Sequence, residues 1–355
     1  VSAAARRLLD RLLAREDLRE SEATQLLGIL TEESLPPALA GALLAALRAK
    51  GVTAPELRGF ARGMRARARR PAVPPGTPTV DVVGTGGDGS GSLNLSTGSA
   101  LLVAACGVRV VKHGNRSVSS RAGSADVLEA LGLPQPLDEA AAIACLERCG
   151  FTFLFAPFYH PAMKAVAPVR AALGVRTVFN ILGPLTNPAL PPYQLIGAFD
   201  LPTARLIAAT LAGLEGERAF VVHGAHGWDE PAPTGPFHLI EVQGGRVTES
   251  LRTPADYGLE CCAVEELAGG DAPHNAARLA AVLRGAERGA HADALALGAA
   301  LVLELMGLVD SPRAGLARAR AAIEEGSAAQ LLERLRDFGR GLQGGREPGR
   351  ERVPA

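Results

Sequence analysis

Apolar residues along the chain fall into two regimes. Up to Arg70 they recur at intervals of three and four. Leu8, Leu9, Leu12 and Leu13 form one stripe, residues 23–30 and 39–47 continue the pattern, and Gly51 reads as a helix stop. Residues 56–69 make a further helix ending in Arg65, Arg67, Arg69 and Arg70. Cations there read as dipole partners on a solvated face, because no aromatic residue interleaves with them as in a nucleic-acid patch. From Val80 onward, short β-rich runs alternate with helical segments. Strands are expected at 80–83, 108–111, 151–155, 195–198, 219–223 and 238–242, and helices at 96–106, 124–131, 139–149 and 202–214. A helix over 161–173 interrupts the rhythm, and three helices are expected between Asn275 and Phe338.

That order implies an α/β fold class, with a small all-helical domain beside a large α/β domain on a mainly parallel central sheet. The helical domain is placed at 1–72 and the proline-rich 72–78 is a linker. The α/β domain takes 78–160 and 191–338, and the Gly/Arg/Pro-rich 339–355 reads as a disordered tail. No internal repeat is visible. Lys plus Arg and Asp plus Glu both number 37, so the formal net charge is zero, which gives no global electrostatic reason to bind nucleic acid or a membrane. No apolar run approaches the ~18 residues that span a bilayer, and the start of the chain lacks the apolar core of a signal peptide. Cys106, Cys145, Cys149, Cys261 and Cys262 are an odd set in mostly apolar contexts, which reads as reduced thiols in a cytoplasmic protein. Cys145 and Cys149 lie one helical turn apart, with no nearby Cys or His pair to complete a zinc set.

Candidate chemistry is confined to four stretches. The first runs Asp81-Val-Val-Gly-Thr-Gly-Gly-Asp-Gly-Ser-Gly-Ser-Leu-Asn-Leu-Ser-Thr-Gly98: a strand, a glycine loop and a helix start at Ser96-Thr97. Glycines let backbone approach an anion, and a helix N-terminus offers unpaired N–H groups and a favourable dipole. No Gly-Lys-Ser/Thr closes it, so it is not a Walker loop. The second, Val111-Lys-His-Gly-Asn-Arg-Ser-Val-Ser-Ser-Arg-Ala-Gly-Ser-Ala-Asp126, again follows a strand and precedes a helix for which Ser124 reads as N-cap. It carries Lys112, Arg116, Asn115 and the hydroxyls of Ser117, Ser119, Ser120 and Ser124, groups that neutralise and orient phosphate oxygens. Two such loops at successive strand ends suit a ligand with two separated anionic groups at the carboxyl edge of a sheet.

The third stretch runs from Phe155 through Tyr159, His160 and Arg170 to Arg176-Thr-Val-Phe-Asn-Ile-Leu-Gly-Pro-Leu-Thr-Asn-Pro188. His160 and Arg170 are roughly three helical turns apart, and Arg170 on an otherwise apolar helix suits a carboxylate, either a ligand's or the protein's own. The fourth, His223-Gly-Ala-His-Gly-Trp-Asp-Glu230, places two carboxylates side by side, which suits solvent or a hard cation such as Mg²⁺ with substrate phosphates. His223 and His226 alone fall short of a zinc set.

Together these four stretches resemble the anthranilate phosphoribosyltransferase family, over nearly the whole chain. The resemblance implies a nucleoside-phosphorylase-like phosphoribosyltransferase fold, with 161–190 joining the helical domain in space. It implies transfer of a phosphoribosyl group from phosphoribosyl pyrophosphate (PRPP) to the amine of anthranilate in tryptophan biosynthesis, with pyrophosphate released. By position, Gly84, Gly87, Asp88, Ser92, Asn94, Leu95, Ser96 and Thr97 would meet the PRPP diphosphate and ribose. Lys112, His113, Gly114, Asn115, Arg116, Ser117, Val118, Ser119 and Ser120, with Ser124, would close over its phosphates. Ser96, Asp229 and Glu230 would hold two Mg²⁺ ions per subunit, Lys112 serving with the two carboxylates in catalysis. Arg170 would meet the anthranilate carboxylate, with Gly84 and Asn115 near the inner position and His160, Tyr159 and Pro184 lining the access tunnel. The partners implied are PRPP, anthranilate and a second copy of the chain, docked through the helical domain.

An aryl amine is neutral at pH 7, so no strong base is demanded, and His113 reads as loop structure or a weak assistant. The sequence departs from the family at Trp228, Pro231 and Ser92, and at Gly298, where asparagine would be expected. None of these removes a charged ligand. A pyrimidine nucleoside phosphorylase shares the architecture and a Lys-x-x-x-Arg loop, but not the need for Asp229-Glu230 and Arg170. A catalytically silent, nucleic-acid-binding relative would be expected to lose phosphate or metal ligands and to be basic.

Overall fold

The structure, a computed structural model, describes residues 3–116 and 121–344. Four helices open it: α1 (Ala3–Leu13), α2 (Glu20–Leu30), α3 (Pro37–Lys50) and α4 (Ala54–Arg67). Helices α2 and α4 approach closely because Gly59 faces α2. A β-carbon there would lie 2.8 Å from the Ala23 β-carbon and 3.0 Å from the Thr24 nitrogen, and Thr24 Oγ1 donates to the Gly59 carbonyl at 2.9 Å. Glu56, wholly buried, is satisfied at both oxygens, by Leu18 N at 2.9 Å and by Thr53 N, Thr53 Oγ1 and Lys50 Nζ between 2.8 and 3.0 Å. The first stripe is narrower than expected. Leu8 and Leu12 are buried, but Leu13 at the end of α1 is 65% exposed, since the chain turns away after it.

Among the described residues seven strands form one sheet: β1 (Thr79–Gly84), β2 (Arg109–Gly114), β3 (Phe151–Phe155), β4 (Tyr193–Gly197), β5 (Arg218–His223), β6 (Phe237–Gln243) and β7 (Arg246–Arg252), in the order β3-β2-β1-β4-β5-β6-β7. The first five run parallel, and β6 and β7 turn back antiparallel. Strand β7 was not expected. It is exposed along nearly its whole length, so it carries no apolar alternation, and the Gly244-Gly245 turn, both with positive φ, closes its hairpin.

Helices α5 (Leu95–Ala105), α6 (Ser124–Ala130), α7 (Glu139–Cys149), α8 (Ala156–Tyr159), α9 (Ala167–Leu173), α10 (Phe179–Leu182), α11 (Leu201–Leu211) and α12 (Pro254–Tyr257) lie between or after the strands. Segment 161–173 is broken into a 3-10 turn, Pro161–Lys164, and α9. The C-terminal region holds four helices where three were expected: α13 (Ala272–Leu283), α14 (Ala290–Leu305), α15 (Pro312–Glu324) and α16 (Ser327–Gly344). Gly326, at φ 81°, ends α15 and opens a second helix in what the apolar pattern runs together. Helix α16 continues through Gly344 rather than yielding to a tail at 339, because Phe338 is buried and Leu342 packs on the same core. Residues 345–355 lie outside the described residues.

Two cores flank the sheet. One face is covered by α5, α14 and α16, with α5 and α14 apolar almost all round. Their crossing is tight at Gly298, where a β-carbon would sit 2.9 Å from the Ser99 β-carbon, so glycine rather than asparagine fits there. The other face is covered by α11, whose Ile207 and Ala208 join Ile196 and Val221 of the sheet with Leu27 and Phe60 of the bundle and with Val166, Phe179 and Leu182 of 161–190. Among the described residues, no helix is long and apolar enough to cross a membrane.

Strands β1 and β4 are neighbours at the centre. From β1 the chain goes outward to β2, and from β4 it goes the other way to β5. Loops leaving the carboxyl ends of β1 and β4 therefore diverge and leave a crevice, the place where open α/β sheets bind ligands.

Candidate functional site

At that crevice the register pairs Gly84 with Gly197, one at the end of each strand. Across both lies the loop after β5 that carries Asp229 and Glu230. A β-carbon on Gly197 would fall on the Asp229 carbonyl, 2.6 Å from its carbon, and one on Gly84 would sit 3.0 Å from Asp229 Cγ. Gly224 likewise leaves room for the Glu230 backbone. These three bare positions let two carboxylates reach the glycine loop. Neither Gly197 nor Gly224 is among the residues expected at the site, although Gly224 lies within the fourth stretch.

The carboxylates meet the backbone N–H groups that make the loop an anion cradle. Asp229 Oδ2 accepts from Gly86 N at 2.5 Å, and Glu230 Oε1 accepts from Ser96 N at 3.0 Å, in the first turn of α5. Asp88 Oδ2 accepts from Asp229 N at 3.3 Å, and Asp88 Oδ1 holds Ser90. Helix α5 begins at Leu95 with Asn94 as N-cap, one turn-position before the expected start. Asn94 Nδ2 donates to the Ala122 carbonyl at 3.1 Å and its Oδ1 accepts from Asn275 of α13 at 2.8 Å, so it ties the first loop to the second. Ser92 Oγ lies 3.1 Å from Ser90 Oγ, Leu95 is core, and Thr97 is buried with no hydroxyl partner among the described residues.

Beneath this loop lies Lys112, only 2% exposed. Its ammonium donates to the Val82 carbonyl and, at 3.4 Å, to Ser96 Oγ. Burial pulls its pKa down, and Asp81, Glu230 and Asp229 oppose that pull. Burial raises both Asp229 and Glu230 above the usual carboxylate range, and the neighbouring carboxylates add to it, Asp88 on Asp229 and Asp229 on Glu230. Asp81, wholly buried, is pushed up to about 6 by burial, with Lys112 holding it lower. It accepts from His113 N at 3.1 Å and Asn187 Nδ2 at 2.8 Å, and Asn187 also donates to the Val111 carbonyl at 2.7 Å. Asp81 and Asn187 thus join the two strands that launch the two loops.

In the second loop, Gly114 faces Ser124, and Ser124 Oγ donates to the Asn115 carbonyl at 3.2 Å; Gly123, not Ser124, is the N-cap of α6. Arg116 turns toward α6 instead of the glycine loop. It pairs with Asp126 and Glu129, each at 2.7 Å, and lies over Phe155 at 5.6 Å. Ser117, Val118, Ser119 and Ser120 lie outside the described residues.

On the bundle side, His160 is buried against His113, ring centroids 5.1 Å apart at 70°. His113 Nε2 and both ring nitrogens of His160 have no hydrogen-bond partner among the described residues. Burial pushes His113 down to about 3 and His160 to about 4, so both are neutral near pH 7. A ring whose folded pKa lies below its unfolded 6.5 adds stability that is complete above 6.5 and is lost as pH falls toward the folded value. Between pH 7.5 and 5, the stability of wild type minus that of His160→Asn should fall by on the order of 2 kcal/mol, read from urea midpoints. Titrating carboxyls cancel in that difference, and a constant difference would contradict a neutral buried ring.

Arg170, on α9, is half-buried with its guanidinium 5.2 Å above the Phe179 ring, and burial lowers its pKa. It has no carboxylate partner among the described residues, which removes the internal salt bridge as its role. Pro184 is buried, its carbonyl accepting from Gln194 Nε2 at 3.2 Å. Tyr159 does not line a tunnel. It is fully buried in the core and its hydroxyl donates to the Leu137 carbonyl at 3.1 Å. At the end of α4, Arg67, Arg69 and Arg70 are exposed as expected, Arg69 lying over Phe158 at 4.4 Å, whereas Arg65 is half-buried and donates to the Leu185 carbonyl at 2.7 Å.

Among the described residues no three His, Cys, Asp or Glu side chains converge into a complete metal cage. Ser96, Asp229 and Glu230 are an incomplete set of hard oxygen donors in a buried, like-charged environment. That is the set Mg²⁺ uses when phosphates supply its remaining ligands.

Known proteins resemble the chain over nearly its whole length. Residues 76–329 match the α/β domain of a glycosyl transferase family and residues 6–68 match that family's helical bundle domain. The chain is 46% identical over 339 residues to an anthranilate phosphoribosyltransferase of Rubrobacter xylanophilus, covering 96% of this chain and 98% of that one. A crystal structure of the Thermus thermophilus enzyme of the same name superposes with a TM-score of 0.87 at 43% identity, over 94% of this chain and 99% of the other. The Saccharomyces cerevisiae enzyme in complex with PRPP and Mg superposes at 0.88 with 25% identity, over 96% and 99%.

Proposed function

The chain belongs to the anthranilate phosphoribosyltransferase family, and on that premise we propose how its cleft moves a phosphoribosyl group from PRPP to the amine of anthranilate, giving N-(5-phosphoribosyl)anthranilate and pyrophosphate. One observation carries the assignment of roles: Lys112, Ser96, Asp229 and Glu230 converge on the N-terminus of α5 at the switch point. Leaving of pyrophosphate puts negative charge there. Preorganised donors that need not reorient at that moment stabilise it most. Lys112 supplies a buried ammonium, and Gly86 and Ser96 supply N–H groups once their carboxylate acceptors turn to a cation. Bound Mg²⁺, which Ser96, Asp229 and Glu230 would hold as two ions per subunit, neutralises diphosphate charge.

Arg170 receives the anthranilate carboxylate over Phe179 and so aims the ring amine into the cleft, with Gly84 and Asn115 at the inner position and His160 and Pro184 farther out. His113 and His160 stay neutral, in keeping with a nucleophile that arrives uncharged. The 117–120 segment is proposed to complete the phosphate contacts, Arg116 being held by Asp126 and Glu129. The phosphorylase and nucleic-acid readings are not favoured, since Arg170 and the carboxylate pair are both in place. Two copies are proposed to pair through the bundle, whose exposed Leu13 supports such a contact; a solution mass near that of one chain would remove it. Five free thiols suit a cytoplasmic setting.

Product formation from PRPP, Mg²⁺ and anthranilate tests the activity. Arg170→Ala should raise the anthranilate KM about ten- to a hundredfold, the worth of a charge-assisted hydrogen bond, and leave the PRPP KM within about threefold. An unchanged anthranilate KM would remove Arg170 from the acid site.

A further inference from the structure

Arg176 leaves the α9–α10 connection just past Gly174, whose left-handed backbone ends α9. Its backbone is held on the bundle side, where the Arg48 guanidinium of α3 donates to the Arg176 carbonyl and Asn180 Oδ1 accepts from Thr177 N at 2.8 Å. Its side chain crosses to the sheet side. The guanidinium lies 4.1 Å above the Phe199 ring, in the loop after β4, and donates to the Gly87 carbonyl in the glycine loop. The platform is itself tied to that loop: Phe199 N donates to Thr85 Oγ1 at 3.2 Å, and Thr85 N to the Gly197 carbonyl at 2.9 Å. Gly87 has φ 73°, and a β-carbon there would lie 3.5 Å from the guanidinium, so a bare residue leaves the approach open.

The charge of this group is unused. Arg116 is paired by two carboxylates and Arg218 by Glu241, whereas Arg176 has no carboxylate partner among the described residues and meets only a neutral carbonyl and a ring face. A guanidinium gains most by exchanging a carbonyl for a phosphate oxygen, which it can grip with two parallel donors. An exposed cation, held in place by an aromatic face at the rim of an anion cradle, is suited to that exchange.

We propose that Arg176 is a further PRPP-binding residue, which hydrogen-bonds a diphosphate oxygen at the outer rim of the glycine loop while Lys112 acts from beneath. This rests on the reading of the glycine loop as the diphosphate site.

The test is steady-state kinetics with pyrophosphate inhibition, on wild type, Arg176→Ala and Arg176→Lys. Arg176→Ala should raise the PRPP KM and the pyrophosphate inhibition constant together, about ten- to a hundredfold, while the anthranilate KM at saturating PRPP moves by less than about threefold. Arg176→Lys, keeping charge but losing the fork and the stacking, should fall between. Unchanged PRPP and pyrophosphate constants overturn the inference. So does a variant with a lowered melting temperature and both KM values raised equally, which marks a purely structural tie. A wild-type chain that formed no product would instead defeat the functional reading, and calorimetric titration of Mg-PRPP into wild type and Arg176→Ala would still decide the inference: an equal Kd overturns it.

Discussion

Lys112→Met should lower kcat by about 10²- to 10³-fold at saturating Mg²⁺ and both substrates, the loss typical of one preorganised charge-stabilising donor. Methionine fills much the same volume, so the cavity term is small. It cannot donate to the Val82 carbonyl or Ser96 Oγ, and it leaves Asp81 and Glu230 buried without their cation. Stripping one partner from buried charges destabilises by about 3–5 kcal/mol, so the variant should also melt early. The second effect is separable from the first. Adding Asp81→Asn removes one of the two stranded charges and keeps an acceptor for His113 N, so Lys112→Met/Asp81→Asn should recover part of the stability and none of the rate. Recovery of both together would mean that the lysine only holds the fold.

Gly197→Ala is expected to lose at least about 10²-fold in kcat and about 1–3 kcal/mol in stability, as overpacked sites do. Its β-carbon would meet the Asp229 backbone, which has no rotamer to escape into, so the whole loop carrying Asp229 and Glu230 must lift from the crevice. Gly84→Ala makes the informative contrast. There the obstacle is the Asp229 side chain, which can rotate away, so activity should fall while the urea midpoint stays nearly constant. A Gly197→Ala protein with wild-type kcat would show that the seating of this loop is not required for the reaction.

Much of this fold is visible in the order of the residues. The 151–155 strand and the 139–149 helix fall where apolar periodicity places them; β1, β5 and β6 extend the expected runs by one residue at one or both ends, while β2 and β4 are shifted, each losing one expected residue and gaining three or two at the other end. Buried strands and amphipathic helices reveal themselves because their side chains alternate between two environments. Strand β7 has one environment, water, and left no such trace. The last two helices merged in the apolar pattern because the break between them, Glu325-Gly326, is only two residues long. Arg116 shows a different limit. Its type suits phosphate, but Asp126 and Glu129 on the next helix satisfy it first, and only the path of α6 reveals that.

By itself the sequence determined which chemistry was on offer: a glycine loop ahead of a helix, a lysine at the end of the neighbouring strand, an arginine on an apolar helix and two adjacent carboxylates. Those are properties of residue type and short spacing, and they survive in any arrangement of the elements. Tertiary structure alone decided who meets whom. Asp229 finds Gly86 across 143 positions because β1, β4 and β5 lie side by side with Gly84 and Gly197 bare between them, and Arg176 reaches Gly87 because the bundle packs against α11. Hydrogen bonding and charge act over a few ångströms. The strand order that brings those ångströms about is set by packing of the whole chain, which no local pattern records.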